Sequence, residues 1–193
     1  MSTFARLNCA LLAALLALPA SAAELEIPAL MSMLASVTSA KDSFTESKRS
    51  AMLSGPLVLK GTLIYARPER LEKHVHSPYE ESTVIAGSSV TIENRTLKQK
   101  RDVSLSSSPT ALALIEGMRA TLAGDSSALE RHYRIQLEGS QDAWLLTLLP
   151  REEKLAALVT RIRIAGARER LRRIEIEERS GDQSVMRIGP EAP

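Results

Sequence analysis

Residues 61–78 read GTLIYARPERLEKHVHSP and indicate the basic unit of the fold. Leu63 and Tyr65 alternate with the residues between them, a period of two that is typical of a half-buried strand. Arg67-Pro68 interrupts the run, and a basic second strand that carries two histidines follows it. The segment therefore predicts two strands joined at a corner. Its composition leaves open whether this hairpin serves a metal, a phosphate, a lipid or only the fold.

Similar strand signals recur along most of the chain. Residues 56–66 form one predicted strand, in which Gly61 suits a bulge or a bend. Residues 82–94 predict a hairpin that turns at Gly87-Ser88, and residues 133–188 predict several more strands between turn sites. The pattern amounts to about nine to eleven strands, whose short links require antiparallel pairing. A sheet of that size twists and curls.

Two other segments carry apolar residues at helical spacing. The first helix is predicted over residues 28–39, with Pro28 at its start. The second is predicted to begin at Pro109, after Ser108 as N-cap, and to end at Gly124. Because the concave side of a curled sheet is the natural place to bury both stripes, we predict an α+β fold. It is a single curled antiparallel sheet, an incomplete β-barrel, with helices covering its concave face.

The beginning of the chain is typical of a secretory signal peptide, predicted over residues 1–22. Arg6 supplies the positive charge, an apolar run too short to span a membrane follows, and Ala20-Ser21-Ala22 fits the cleavage pattern. Residues 23–193 then form a single predicted domain. The single cysteine, Cys9, lies in the leader, so we expect no disulfide or thiolate chemistry in the mature protein. The expected location is the periplasm.

Composition and motifs exclude several kinds of function. A net charge of +2 and an aromatic content of 3% argue against a nucleic-acid partner and against stacked flat cofactors. The chain has no Walker, dinucleotide or nucleophile-elbow motif, so we predict neither a cofactor nor an enzyme. His74 and His76 would share one face of a strand, but a zinc site needs further ligands. We predict no metal, and a solvated strand face for this pair.

The order of the elements and three short motifs resemble the periplasmic lipoprotein carriers of the LolA type and their relatives. The motifs are Gly61-x-Leu63-x-Tyr65-x-Arg67-Pro68, the Gly87 hairpin, and Trp144-x-Leu146-x-Leu148-x-Pro150. The resemblance covers essentially the whole mature chain. It implies a curled, incomplete barrel closed by helices, which agrees with the fold predicted from the pattern alone. It also implies that Arg67, before Pro68, is a latch that fastens the helical cover.

The same resemblance implies a function as a carrier. Such a monomer binds acyl chains of a lipoprotein or related lipid in a hydrophobic cavity. It takes its acylated cargo from an inner-membrane donor complex to an outer-membrane acceptor without nucleotide hydrolysis. The chain departs from the better-known carriers in having fewer aromatic residues, with Leu71 and His74 where bulkier rings are expected. The cargo is therefore open and includes a glycolipid or a polyene lipid.

Two sets of apolar residues follow from this mechanism. The predicted cavity wall consists of Leu63, Tyr65, Val84, Trp144, Leu146, Leu148, Ile162, Ile164, Ile174 and Ile176. The predicted lid helices contribute Leu30, Leu34, Val37, Leu114, Met118 and Leu122. Ordinary core packing is the alternative for each apolar residue, and a surface ion pair is the alternative for Arg67. Two rival functions also remain open: a periplasmic module that senses lipids or lipoproteins, and a lipid hydrolase.

Overall fold

The computed structural model describes residues 25–105 and 109–190, with the side chains of residues 109–111 left out. The described strands form one 11-stranded sheet in the order β6-β5-β4-β3-β2-β1-β11-β10-β9-β8-β7. Their bounds are β1 Ser39–Arg49, β2 Leu57–Ala66, β3 Arg70–Ser77, β4 Glu81–Ala86, β5 Ser89–Asn94, β6 Gln99–Ser104, β7 Tyr133–Ser140, β8 Ala143–Pro150, β9 Val159–Ala167, β10 Arg170–Glu178 and β11 Gln183–Ile188. The helices are α1 Ile27–Ala35, α2 Pro109–Ala123, α3 Ser126–His132 and α4 Glu153–Ala156.

The topology is that of two meanders joined in the middle of the sheet. Strands β1 to β6 run outward on one side, and β7 to β11 return toward the centre. The last strand, β11, pairs antiparallel with the first, β1, in the register Phe44↔Ile188. Among the strands described, β6 and β7 form the two outer edges, so the sheet is curled and is not closed into a barrel. The predicted fold class is confirmed.

The element bounds differ from the predictions in a few places. Helix α1 ends at Ala35, where Ser36 caps its last turn, and β1 already begins at Ser39. The apolar stripe continues to Val37, which made the sequence pattern extend the predicted helix past its end. Helix α4 was not predicted, because four residues give no periodic signal. The predicted signal peptide lies outside the described residues.

The bulge predicted at Gly61 is present, and close packing explains why glycine stands there. The pairing of β2 with β3 shifts register between Lys60 and Gly61. A Cβ atom on Gly61 would lie 1.9 Å from the carbonyl oxygen of His74 and 2.8 Å from the Phe44 ring. Any other residue would force the two strands apart at this point.

The two faces of the sheet differ in chemistry. The arginines of β9 and β10 lie on the convex face, where Arg163 and Arg173 both pair with Glu175, and Arg161 pairs with Glu177 at 2.8 Å. Charged residues that alternate with apolar ones are typical of strands with one solvated face. The concave face of β7 to β10 packs against the helices in one large apolar core. A smaller cluster centred on Phe44, Leu59 and Val75 lies on the concave face of β1 to β3.

Candidate ligand-binding cavity

A cavity of about 740 Å³ lies between the concave face and helix α2. This volume is within the range of roughly 300–1,000 Å³ typical of small-molecule sites. Most of its wall is apolar. The sheet side of the apolar wall consists of Ala40, Leu63, Ile64, Tyr65, Leu71, Ile85, Leu171, Ile174, Ile176, Met186 and Ile188. The helical side consists of Leu34, Val37, Leu114, Ile115, Met118 and Leu122. The concave sheet therefore holds both a filled core and a sizeable apolar hollow.

Helix α2 has two unlike apolar faces, and this determines where the cavity lies. Its small residues face the core: Ala113 and Ala120 are buried, and a Cβ on Gly117 would lie 2.6 Å from the ring of Tyr133. The Tyr133 hydroxyl donates to the carbonyl oxygen of Ala113 at 3.3 Å. The large residues, which include Leu114 and Met118, lie on the neighbouring face and line the cavity. The helix is thus packed tightly on one side and over a hollow on the other.

Polar contacts fasten the cavity side of α2 to the sheet. Arg67 donates from Nη2 to the carbonyl oxygen of Ala123 at 2.7 Å, and Tyr65 donates from its hydroxyl to that of Leu122 at 3.4 Å. These carbonyls belong to the last turn of the helix, whose oxygens lack partners within the helix. Arg67 therefore lies where a latch on α2 would have to act.

A second arginine, on the helix itself, makes a similar connection. Arg119 donates from Nη2 to the carbonyl oxygens of Gly87 and of Glu69, the latter at 3.2 Å. It also pairs with Glu116 at 2.9 Å, and its side chain is only 10% exposed. The two acceptors lie in the turns after β2 and β4. Arg119 thus joins α2 to the β2–β3 turn, in which Arg67 also lies, and to the β4–β5 turn.

One part of the cavity wall is charged. Glu46, on the concave face of β1, is only 4% exposed and pairs with Lys73 of β3. Ser184 donates to Glu46 Oε1 at 2.6 Å, and the Lys48 ammonium lies 3.7 Å from that same oxygen. Burial acts to raise the pKa of Glu46, but Lys73, Ser184 and Lys48 together outweigh it and hold this pKa below 4.5. The carboxylate is therefore ionised at neutral pH.

The structure places the predicted wall and lid residues in three groups. Nine of the sixteen line the cavity: Leu34, Val37, Leu63, Tyr65, Leu114, Met118, Leu122, Ile174 and Ile176. Six belong to the packed core instead: Leu30, Trp144, Leu146, Leu148, Ile162 and Ile164. Val84 belongs to neither set. Whether any of them contacts a lipid stays a prediction.

Leu30 belongs to α1, and the other five core residues lie on β8 and β9, where they point to the concave face and pack against helices. Leu146 and Ile164 are fully buried opposite one another in the β8–β9 pairing. Trp144 lies against Gly166, where a Cβ would be 2.3 Å from its ring, and its indole N–H donates to the carbonyl oxygen of Arg168 at 2.8 Å. Helices α1 to α4 fill the space above these strands, and the hollow begins only at β10.

Val84 differs for a reason of register. Its neighbours Thr83 and Ile85 line the cavity, and side chains alternate between the two faces of a strand. The predicted position was therefore one residue away from a wall position.

The polar residues of the site cannot be recognised from the sequence pattern alone. Arg119, Glu46 and Lys73 stand in patterns that equally suit a solvated face, since charged residues alternate along both strands and along α2. The signal for Glu46 was its place on the same strand face as Phe44, two positions away. That signal requires the face of β1 to be assigned first, which only the pairing with β2 and β11 provides.

The histidine pair makes contacts of a structural kind. His74 Nε2 lies 2.7 Å from Glu72, and His76 Nε2 lies 3.1 Å from the Thr62 hydroxyl. Within residues 25–105 and 109–190, no group of three or more histidine, cysteine, aspartate or glutamate side chains is arranged to hold a metal. The same part of the chain contains no helix long and apolar enough to cross a membrane.

Fold and cavity together define the class: an α+β protein with a curled antiparallel sheet whose concave face holds an apolar, helix-covered cavity. A model of the family described as "Outer membrane lipoprotein carrier protein LolA-like" matches residues 19–192. The chain belongs to this LolA-like family, and the predicted resemblance is confirmed. No curated protein matches it significantly in sequence.

Three solved structures are similar to this chain at low sequence identity. A LolA superfamily protein from Nitrosomonas europaea is 11% identical, with a TM-score of 0.43, over 85% of this chain and 93% of that one. The MucA/MucB complex from Pseudomonas aeruginosa contains a chain that is 12% identical, with a TM-score of 0.44, over 86% of this chain and 58% of that one. The structure of the CwlD amidase with the GerS lipoprotein, from Clostridioides difficile, contains one that is 10% identical, with a TM-score of 0.41, over 78% and 82% of the two chains.

Proposed function

We propose that this protein is a periplasmic carrier that binds acyl chains of a lipoprotein or related lipid in the cavity beneath α2. The observation that carries the proposal is the apolar wall of a hollow of about 740 Å³, formed by the sheet on one side and by the large residues of α2 on the other. An acyl chain needs such a surface and little else. The proposal assigns the chain no catalytic step and no cofactor.

The energetics favour a helix that yields to the ligand. Each methylene that leaves water is worth about 0.8 kcal/mol, so one long acyl chain offers on the order of 10 kcal/mol gross. A carrier must also release its cargo, so much of this gain has to be offset. Moving the Leu114 and Met118 face of α2 away from the cavity supplies such a cost, because the ligand replaces contacts that the helix already makes.

The latch contacts give this movement a defined starting point. Arg67 and Tyr65 hold the last turn of α2, and Arg119 holds its middle. Each bond is worth about 1 kcal/mol net, which is small beside the gain from a buried acyl chain. We infer that a bound chain breaks some of these bonds and that their re-formation assists release.

The partners follow from the same scheme. The cargo is an acylated molecule, the donor is an inner-membrane complex and the acceptor lies in the outer membrane. Release runs from a weaker site to a stronger one and needs no nucleotide. The family to which the chain belongs carries the description of outer membrane lipoprotein carriers, which supports this direction of transport.

A titration with a fluorescent long-chain fatty acid tests the proposal. The mature protein is expected to bind the probe saturably with one site. A cavity-filling variant, Leu114→Trp, is expected to lower the affinity at least tenfold, because the indole occupies the hollow. The matched control Leu158→Trp changes a side chain that is 56% exposed and lies outside the cavity, and it should bind normally.

Two outcomes would overturn the proposal. One is the absence of a saturable site in the wild-type protein. The other is an equal loss of binding in both tryptophan variants, which would show that the probe responds to general destabilisation rather than to the cavity.

A further inference from the structure

The charged cluster on the cavity wall combines the buried carboxylate of Glu46, 5% exposed, with two partly exposed lysines, Lys73 at 26% and Lys48 at 44%, and stability does not explain it. Its members are Glu46, Lys48, Lys73 and Ser184, which all line the cavity. A buried ion pair is seldom more stable than apolar residues of similar volume, because desolvation offsets the attraction. A wall that served only hydrocarbon would favour apolar side chains at these positions. The cluster therefore points to a polar group on the ligand.

The cluster has more positive than negative charge. Two ammonium groups, of Lys48 and Lys73, share the single carboxylate of Glu46. Ser184 already donates to that carboxylate, and the Lys73 ammonium also lies 5.3 Å from the centroid of the Phe44 ring. An ammonium has three N–H donors, and Glu46 accepts one from Lys73. A second acceptor in the cavity can therefore bind the same ammonium.

The other charged groups around the cavity do not cancel this excess at the cluster. Glu72 is bound on the opposite face of β3 by Arg70 at 2.5 Å and by His74. Asp42 also lines the cavity, two residues before Phe44 on the same face of β1 and opposite Leu63, but it is exposed. The remaining rim charges are Lys41, Glu169 and Arg170.

The cluster lies next to the apolar wall. Lys73 is paired across the sheet with Leu63 and Thr83, and Leu71 and Ile85 are the next wall residues along β3 and β4. These two lead toward Tyr65 and the last turn of α2. A ligand with its charged end at Lys73 would therefore extend its chain along apolar wall toward the latch.

We propose that the ligand is an amphiphile with an anionic headgroup, a carboxylate or a phosphate, and that Lys73 and Lys48 bind this headgroup in competition with Glu46. This inference rests on the proposed function and narrows its cargo. Glu46 acts as an internal carboxylate that occupies Lys73 when no headgroup does so. An acid-headed lipid fits this site better than an uncharged acyl ester.

The test compares a fluorescent fatty acid with its methyl ester, which has the same chain without the charge. The wild-type protein is expected to bind the acid about tenfold more tightly. Lys73→Met keeps the apolar stem and should remove most of this preference while leaving the affinity for the ester nearly unchanged. Lys100→Met, at an exposed position on β6, is the matched control and should keep the preference.

Variants of Glu46, the internal competitor for Lys73, should change the affinity for the acid in the opposite direction. They also separate an effect on binding from an effect on folding. Glu46→Gln should raise the affinity for the acid several-fold, because Lys73 loses its internal partner. The double variant Glu46→Gln/Lys73→Met leaves no buried charge unpaired and should bind acid and ester equally. A loss of affinity for both probes in Glu46→Gln would overturn the inference, since that result indicates a structural role.

Two further outcomes are distinguishable. Equal binding of acid and ester by the wild-type protein would overturn the headgroup site but leave the proposed acyl-chain carrier intact, whereas binding of neither would overturn both.

Inorganic phosphate alone is expected not to displace the acid probe. Displacement at millimolar phosphate would assign the two lysines to a free anion instead of a lipid headgroup.

Discussion

The two sides of the concave face are built from the same kind of strand, but one side is a packed core and the other borders a cavity. On the side of β7 to β10, α1, the small-residue face of α2, α3 and α4 fill the curl, and Leu146 and Ile164 are fully buried. On the side of β1 to β4, the large-residue face of α2 and the end of α1 border the sheet without filling the space above it, and a cavity remains. How completely helices fill the space above the strands, rather than the strands themselves, separates a core from a binding site.

This difference also separates two kinds of attachment. The packed side holds α2 through apolar contact with small residues, as where Gly117 meets the Tyr133 ring. The cavity side holds the same helix through hydrogen bonds from Arg67, Tyr65 and Arg119. Apolar packing resists change in all directions, whereas a few hydrogen bonds can be exchanged for water. We therefore expect α2 to move, when it moves, by releasing its cavity side.

The largest expected effect is on the packed side. Leu146→Ala should lower the free energy of unfolding by about 2–5 kcal/mol, because it leaves a void in a filled core. Leu114→Ala, the same change at the half-buried cavity wall, should cost only about 1 kcal/mol. Urea denaturation measures both values. Equal costs at the two positions would contradict the distinction between core and cavity.

The next largest effect on the free energy of unfolding is expected for a substitution of Arg119. Arg119→Met should lower the free energy of unfolding by about 1–3 kcal/mol, since it leaves the carbonyls of Gly87 and Glu69 without this donor. It should also speed release of an acyl probe, measured by stopped-flow exchange. Arg131→Met, at an exposed position on α3, is the control and should change neither quantity.

A smaller effect with a defined pH dependence is expected at Glu46. At pH 7, Glu46→Gln should cost about 1–2 kcal/mol, because the variant loses a charged hydrogen-bond acceptor. The pKa of Glu46 in the folded protein lies below its ordinary value of 4.5, so its contribution is present above pH 4.5 and is lost as the pH falls through the folded value. The difference between wild type and variant should therefore shrink on acidification, as followed by denaturation at several pH values.

The control for this pH effect is Glu130→Gln, which changes an exposed carboxylate on α3. The free energy of unfolding of this variant should differ from that of the wild type by a constant amount over the whole pH range. A difference at Glu46 that grows as the pH falls would be incompatible with a lowered pKa.

The smallest effect on stability, and the most telling for function, is expected for Arg67→Leu. Arg67 is exposed, and its guanidinium donates a hydrogen bond to the carbonyl oxygen of Ala123, so its loss should lower the free energy of unfolding by less than about 1 kcal/mol. The rate of probe release should nevertheless change several-fold, because that bond holds the end of α2. A variant that melts lower but releases the probe at the wild-type rate would exclude the latch.

The sequence by itself determined the strand pattern, the antiparallel pairing and the apolar face of strands such as β2 and β8. These are local properties, since a period of two along β2 or β8 and a glycine such as Gly61 can be recognised without knowing what lies opposite. The same periodicity placed Leu63 and Tyr65 on the inner face, whereas the latch at Arg67 was implied by the resemblance to the carrier family, and the structure shows Arg67 bonded to α2.

Only the tertiary structure decided which apolar residues enclose a hollow. Leu63 and Leu146 have the same pattern along their strands, yet one lines the cavity and the other is buried beneath helices. Likewise, the pairing of Glu46 with Lys73 joins strands that are not adjacent in the sheet. Whether a face is filled depends on how helices from elsewhere in the chain pack above it. The residues of the strand itself do not determine that packing.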